Sequence, residues 1–170
     1  MKFALLVIVF AAFASPAAAQ HQHGQAPYAG LQQRPIKALS EQQTADLRAG
    51  RGMGLALAAE LNGYPGPVHV LELGDQLRLT DAQRGRMQAL KDAMTAEAIP
   101  VGEKLVSQET ALDRAFADRT ISPAALQALT GEIGQTHGAL RAVHLKYHLT
   151  AAAVLTDQQM MQYRHLRGYQ

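Results

Sequence analysis

The sequence contains no cysteine and no tryptophan, and only 5% of its residues are aromatic. A chain without cysteine forms no disulfide bonds and offers no thiolate to a metal, so any metal site has to use His, Asp, Glu or Met side chains. So few aromatic side chains do not suit a thick globular core, whereas the abundant Ala, Leu and Gln favour helices. We therefore expect a thin, all-α protein.

A strong charge of one sign and the motifs of common enzymes are also missing. The 16 Lys and Arg residues nearly balance the 14 Asp and Glu residues, so a nucleic-acid partner is not indicated. There is no GxSxG or HExxH motif, and Gly50, Gly52 and Gly54 follow no predicted strand, unlike a phosphate-binding loop. We predict that the protein is not an enzyme.

Residues 1–19 have the pattern of a secretory signal peptide. Lys2 precedes an apolar run from Phe3 to Ala14, and small residues follow up to Ala19. The pattern predicts cleavage after Ala19 and a location outside the cytoplasm, and the run is too short for a stable membrane anchor. No later segment is apolar enough to span a membrane.

Two regions are expected after the signal peptide. Residues 20–38 are rich in Gln, Gly and Pro without helical periodicity, which predicts a flexible tail carrying His21 and His23. Residues 39–170 are predicted to form a single helical domain.

One local pattern occurs three times, at residues 39–43 (LSEQQ), 79–83 (LTDAQ) and 155–159 (LTDQQ). In each copy a hydroxyl side chain can cap the backbone amide three residues on, while the glutamine there accepts the N–H of the cap. These are predicted helix starts. The capping pairs are Ser40 with Gln43, Thr80 with Gln83, and Thr156 with Gln159.

The spacing of apolar residues predicts two long helices. The first begins after Thr80 and runs to about Asp118, with a kink expected at Pro100, and the second runs from Pro123 to about Leu155. The short connection between them predicts an antiparallel hairpin. An apolar seam follows the first helix: Met87, Leu90, Met94, Val101, Leu105, Leu112 and Phe116.

Shorter helices are expected beside the hairpin, at about 40–62, 68–77 and 156–167. Gly50, Gly52 and Gly54 should either loosen the first of these or permit a close backbone approach. The predicted fold is therefore an all-α, long antiparallel hairpin with short flanking helices, four to five in total.

Three histidines lie in the second long helix, at His137, His144 and His148. Their spacing places the three rings within about 40° of one another on one face. His69 and Glu72 lie on a short helix that can pack nearby, and the register of the hairpin brings Glu97 to the level of His144. The cluster indicates either a transition-metal site or buried rings bonded to neighbours such as Glu97 or Tyr147.

The signal peptide, the absence of cysteine, the helical hairpin and the two LTxxQ boxes resemble the periplasmic LTxxQ proteins. That group includes the Spy and CpxP stress chaperones, the zinc-resistance protein ZraP and, more loosely, the CnrX-type heavy-metal sensors. The resemblance covers about residues 68–167 and implies a four-helix protomer that dimerises, with roles in holding unfolded clients, sensing stress or binding metals. Residues 50–73 do not fit the chaperone pattern.

Two functional hypotheses follow. In the first, an intertwined homodimer, which is not an enzyme, binds Zn, Ni, Co or Cu through His144 and His148, helped by His137, His69, Glu97 or Glu72, and a membrane-bound partner is conceivable. In the second, the histidines are structural and the protein is an ATP-independent chaperone for unfolded clients. The predicted client-binding residues are Met87, Leu90, Met94, Val101 and Leu105.

Overall fold

The computed structural model describes residues 26–169, and these form helices without a strand. The predicted signal peptide, His21 and His23 lie outside the described residues. A short 3-10 helix precedes six α-helices: α1 Glu41–Arg48, α2 Leu57–Glu60, α3 Pro67–Glu72, α4 Asp81–Ala117, α5 Pro123–Ala152 and α6 Asp157–Arg167. The all-α prediction is confirmed. No helix among these residues is long and apolar enough to cross a membrane.

The predicted hairpin is formed by α4 and α5, which pack against each other. Thr80 caps α4 through the amide of Gln83, and Ser122 caps α5 through the amide of Ala125, with Pro123 in the first turn. Between the helices, Arg119 adopts a φ of 56°, a left-handed conformation that ends α4. α4 continues through Pro100 as one helix.

The prediction of one continuous helix from Ser40 to about Asn62 is wrong. Its first part, α1, ends at Arg48, and Gly50 and Gly54 then have φ values of 65° and 80°. Glycine adopts this backbone without strain, so the chain turns here instead of continuing as a helix. A Cβ on Gly50 would lie 3.1 Å from the Thr95 carbonyl oxygen, so the predicted close backbone approach does occur.

The core has two clusters of buried apolar residues along the hairpin. The first lies where α3, α4, α5 and α6 meet, and the second lies where α1 packs on α4 and α5. Gly102 permits that second contact, because a Cβ there would lie 2.2 Å from the Leu47 carbonyl oxygen. Ile36 is buried in the second cluster, and Lys37 Nζ lies 3.1 Å from Asp113, so the end of the predicted tail is attached to the helices.

The three predicted capping boxes all form, and two of them also bind each other. Gln83 Nε2 donates to Gln159 Oε1 at 2.8 Å, and Gln159 Nε2 donates to Gln83 Oε1 at 3.0 Å. Each amide also donates to a backbone carbonyl, of Val154 and Leu77 respectively. The glutamines therefore fix the start of α6 against the start of α4, with every polar atom of both amides satisfied.

Candidate functional site

A half-open cavity of about 580 Å³ lies between α4, α5 and the segment from Ala49 to His69. We call it the histidine cavity, because His69, His144 and His148 line it together with Glu60. Most of the remaining wall is apolar, with Met53, Ala56, Leu57, Pro67, Val68 and Met94. Its size and its few polar groups are typical of a ligand site.

His144 is the most buried of the three histidines, with 2% of its surface exposed. Its Nε2 is buried and has no hydrogen-bond partner among the described residues. Burial and, secondarily, the charge of His148 lower the pKa of His144, so the ring is neutral at neutral pH. A buried polar atom without a partner is uncommon and is a candidate for binding a ligand.

His148 lies one turn further along α5, and its orientation is set by the chain after α2. Its Nδ1 is 2.7 Å from the carbonyl oxygen of Tyr64. Because a carbonyl only accepts, Nδ1 carries the proton and the neutral ring keeps a lone pair on Nε2. Gly66 leaves the space that this ring needs, since a Cβ there would lie 2.8 Å from Nε2.

Glu60 is the charged centre beside the cavity, and the sequence did not reveal it. Its residue is 3% exposed, and its carboxylate accepts from the hydroxyl of Tyr163 and from the amide of Gly66 at 3.2 Å. His69 Nδ1 and Arg167 Nε lie 3.3 Å and 3.6 Å from Oε1. Glu60 thus joins α2 to α3 and α6.

The pKa of Glu60 reflects opposing causes. Burial raises it, but the contacts with His69 and Tyr163, the charge of His69 and the Gly66 amide outweigh burial and lower the pKa to about 2. The contact with His69 is electrostatic, because Nδ1 of that ring is not aligned to form a hydrogen bond. Burial of Tyr163 and, secondarily, its hydrogen bond to Glu60 raise the pKa of Tyr163. Glu60 is therefore ionised, and both of its carboxylate oxygens already contact neighbouring groups.

Three residues predicted for the metal site do not line the histidine cavity. His137 is exposed on α5, because the segment from Ala49 to His69 covers α5 only at the level of His144 and His148. Glu97 is bound to Lys146 at 2.5 Å and to the hydroxyl of Tyr147 at 2.7 Å, so the expected contact with His144 does not form. Glu72 is exposed on α3.

The hydrogen bonds of Glu97 have electrostatic consequences of their own. The bonds from Lys146 and Tyr147 lower the pKa of Glu97. In return, the bond to Glu97 raises the pKa of Tyr147 to about 12. The two hydrogen bonds of Glu97 join α4 to α5, and none of the three residues lines the cavity.

The predicted client-binding residues are mostly core residues. Met87, Leu90, Met94 and Leu105 are buried and Val101 is partly buried, because α1, α3 and α5 pack on α4. Four of the exposed apolar side chains lie instead in the segment that follows α1. This group is Met53, Leu57, Leu61 and Tyr64, of which Leu57 and Leu61 are 55% and 58% exposed.

The nitrogen and oxygen donors near the cavity do not form a complete metal site. Among residues 26–169, no three His, Asp or Glu side chains are grouped so that they could hold one metal ion. His144 and His148 line the cavity as a pair, and the Nε2 atom of His144 has no hydrogen-bond partner among the described residues. Met53 and Met94 line the same cavity and carry thioether sulfur atoms. The sequence does contain a signal for Glu60, because it is the one acidic residue in the apolar stretch LALAAEL.

Comparison with known proteins agrees with the capping boxes described above. No curated protein and no solved structure matches the chain. The family model described as "LTXXQ motif family protein" matches residues 69–167, which is more than half of the chain. This match covers both LTxxQ boxes and the helices that they join, and the chain belongs to the LTXXQ motif family.

Proposed function

We propose that this protein is an exported, periplasmic member of the LTXXQ family, not an enzyme, that binds a transition metal through His144 and His148. The observation that carries the proposal is the buried Nε2 of His144, which has no partner among the described residues and belongs to a ring that lines the histidine cavity. Homodimerisation, which the resemblance implies, and a membrane-bound signalling partner stay predictions.

The second imidazole is prepared in the manner common for metal ligands. Ligating histidines usually donate the other ring N–H to a carboxylate or a backbone carbonyl, which sets the tautomer and the ring orientation. His148 does so with the carbonyl of Tyr64. Because His144 and His148 are one turn apart on α5, both rings can approach one metal ion.

The test is a thermal melt of the metal-free chain that is titrated with Zn, Ni, Co and Cu at neutral pH. The wild type should gain stability with at least one metal, since a ligand that prefers the folded state stabilises it. Each variant is compared with its own metal-free melt, so a loss of folding stability does not imitate a loss of binding. His144→Ala should abolish the gain.

The matched control is His137→Ala, on the same helix but outside the cavity, which should keep the full gain. A metal-induced rise that survives His144→Ala together with His148→Ala would place the metal elsewhere and refute the proposal.

A second candidate function is the holding of unfolded clients. It is supported by the exposed group Met53, Leu57, Leu61 and Tyr64, because apolar side chains concentrated on one surface segment usually bind something. Aggregation of a denatured substrate protein should be suppressed by the wild type and much less by Leu57→Ser with Leu61→Ser. Leu126→Ser, which alters an exposed leucine near the start of α5, is the control.

A further inference from the structure

The histidine cavity offers two thioether sulfur atoms beside two imidazoles. A zinc or nickel site would usually have more nitrogen or oxygen ligands. Two imidazoles, those of His144 and His148, line the cavity together with Met94 and Met53, whose side chains are thioethers. Thioether sulfur favours Cu(I), whereas carboxylate oxygen favours harder metal ions, and imidazole accepts several transition metals. The composition of the site therefore says which metal it suits.

The carboxylate of Glu60 is not free to supply a hard oxygen ligand. It accepts from Tyr163 and from the amide of Gly66, and Arg167 lies 3.6 Å away. Withdrawing it would leave the Tyr163 hydroxyl and the Gly66 amide buried without a partner, which costs more than an ordinary hydrogen bond. Since no three His, Asp or Glu side chains among residues 26–169 can hold one ion, a metal that needs three such donors is poorly served here.

The two methionines are placed differently in the cavity. Met94 is 7% exposed, and it lines the cavity from α4, whereas the two histidines line it from α5. Met53 is on the rim, between two glycines. Its backbone φ of 43° is a left-handed conformation that residues other than glycine rarely adopt. The unbranched, polarisable methionine side chain adapts readily to a bound partner.

We infer that the histidine cavity binds Cu(I), with His144, His148 and Met94 as ligands and Met53 closing the site from the rim. This inference rests on the proposed metal-binding function and names its metal. The apolar wall suits a monovalent ion, because a low charge loses less hydration on burial than a divalent one. The chain has no cysteine, so methionine is its only soft donor.

The test uses Ag(I), a redox-inert analogue of Cu(I), and then Cu(I) itself under anaerobic conditions against a competing chelator. In wild type with ¹³C-methyl-labelled methionine, the NMR signals of Met94 and Met53 should shift on Ag(I) addition. The signals of Met87, which is buried in the core outside the cavity, and of exposed Met161 should stay in place.

Variants separate ligation from packing. Met94→Leu keeps the size of the side chain and should lower the affinity for Ag(I) and Cu(I) by about tenfold or more, while any weaker binding of Zn(II) is unchanged. Met87→Leu, the same change at a buried position that does not line the cavity, should leave both affinities unchanged.

The outcomes distinguish this inference from the function on which it rests. If Zn(II) or Ni(II) binds in a way that depends on His144 while the Met94 and Met53 signals do not move with Ag(I), the Cu(I) assignment is overturned and the metal-binding function stands. If none of these ions stabilises the wild type or shifts a signal, both are overturned.

Discussion

The two ends of the α4–α5 hairpin are held together in different ways. At the box end, where α4 begins and α5 finishes, α3 and α6 cover the hairpin, and Gln83, Gln159 and Glu60 are bound to groups far away in the sequence. At the turn end, Phe116 and Leu126 are exposed, and Gly131, Gly134 and Gly138 of α5 have no atom within 4 Å of where a Cβ would be.

The difference teaches where specificity is located in this fold. The box end depends on buried polar groups that are costly when one partner is removed, so its geometry is strongly determined. The turn end depends on helix capping and on apolar contacts within the hairpin, which tolerate substitution. The histidine cavity lies next to the box end, where side chains are held in place.

The largest expected effect is the loss of Glu60. Glu60→Ala should destabilise the protein by about 3 kcal/mol or more, because it leaves the buried Tyr163 hydroxyl without its partner and removes the charge that faces His69 and the partly exposed Arg167. Chemical denaturation measures the change. Asp118→Ala, which removes an exposed carboxylate at the turn end, should change stability by less than about 1 kcal/mol. Equal losses at the two positions would contradict the assigned role of Glu60.

Glu60 also predicts a loss of stability in acid. Its folded pKa of about 2 lies below the ordinary value of 4.5, so the folded state prefers the carboxylate. This contribution is complete above pH 4.5 and is lost as the pH falls from 4.5 towards 2. The free energy of unfolding of Glu60→Gln, measured by denaturation at each pH, should change less over that interval than that of the wild type. An equal pH dependence of the unfolding free energy in the two proteins would show that Glu60 does not titrate as described.

The next effect concerns the paired capping boxes. Gln83→Ala should cost about 1–3 kcal/mol, because it breaks the capping box of α4 and removes one partner each from the Gln159 amide and the Val154 carbonyl. Gln43→Ala is the control, since Gln43 completes the box of α1 without a second glutamine and should cost only about 1 kcal/mol. A double-mutant cycle of Gln83 and Gln159 measures the coupling, and a coupling near zero would show that the boxes act independently.

Glycine substitution should have opposite signs along the hairpin. Gly134→Ala at the turn end should stabilise the protein by about 0.5–1 kcal/mol, since alanine favours a helix and the space there is open. Gly102→Ala should destabilise it, because the Cβ would collide with the Leu47 carbonyl oxygen. Thermal melts decide both signs. A loss of stability at Gly134 would show that a second chain or another segment covers this face.

The smallest effect is expected at Glu109, near the turn end. Burial raises its pKa, with the charge of His137 acting against this, so Glu109 contributes more stability below pH 4.5 and loses it as the pH rises through the raised value. At pH 7, Glu109→Gln should be neutral or stabilising by no more than about 0.5 kcal/mol, since solvent screens this partly exposed group. A clear destabilisation at pH 7 would contradict the direction of the shift.

The helices of this protein were largely predictable from local sequence. Capping boxes and apolar spacing placed the starts of α1, α4 and α6 and the α4–α5 hairpin, because these signals act over a few residues. The break after Arg48 was not predicted, since a glycine-rich stretch is compatible with a loosened helix. The contact of Gly50 with the Thr95 carbonyl, 45 positions later, accompanies the turn.

The candidate site divides in the same way. Helical periodicity placed His144 and His148 on one face, and the structure brings both into the cavity. The same periodicity included His137, because rotation about the helix does not tell which part of a face is covered. Glu60 was not predicted, because no local pattern relates it to its partner Tyr163, which lies 103 residues away in the sequence.

The sequence by itself determined the all-α class, the hairpin and the capped helix starts, because hydrogen bonds and apolar periodicity within a few turns are sufficient for them. Only the tertiary structure decided which polar side chains lose their water and meet. Burial of His144, the tautomer of His148 and the low pKa of Glu60 all depend on chain segments that local sequence patterns do not relate to one another.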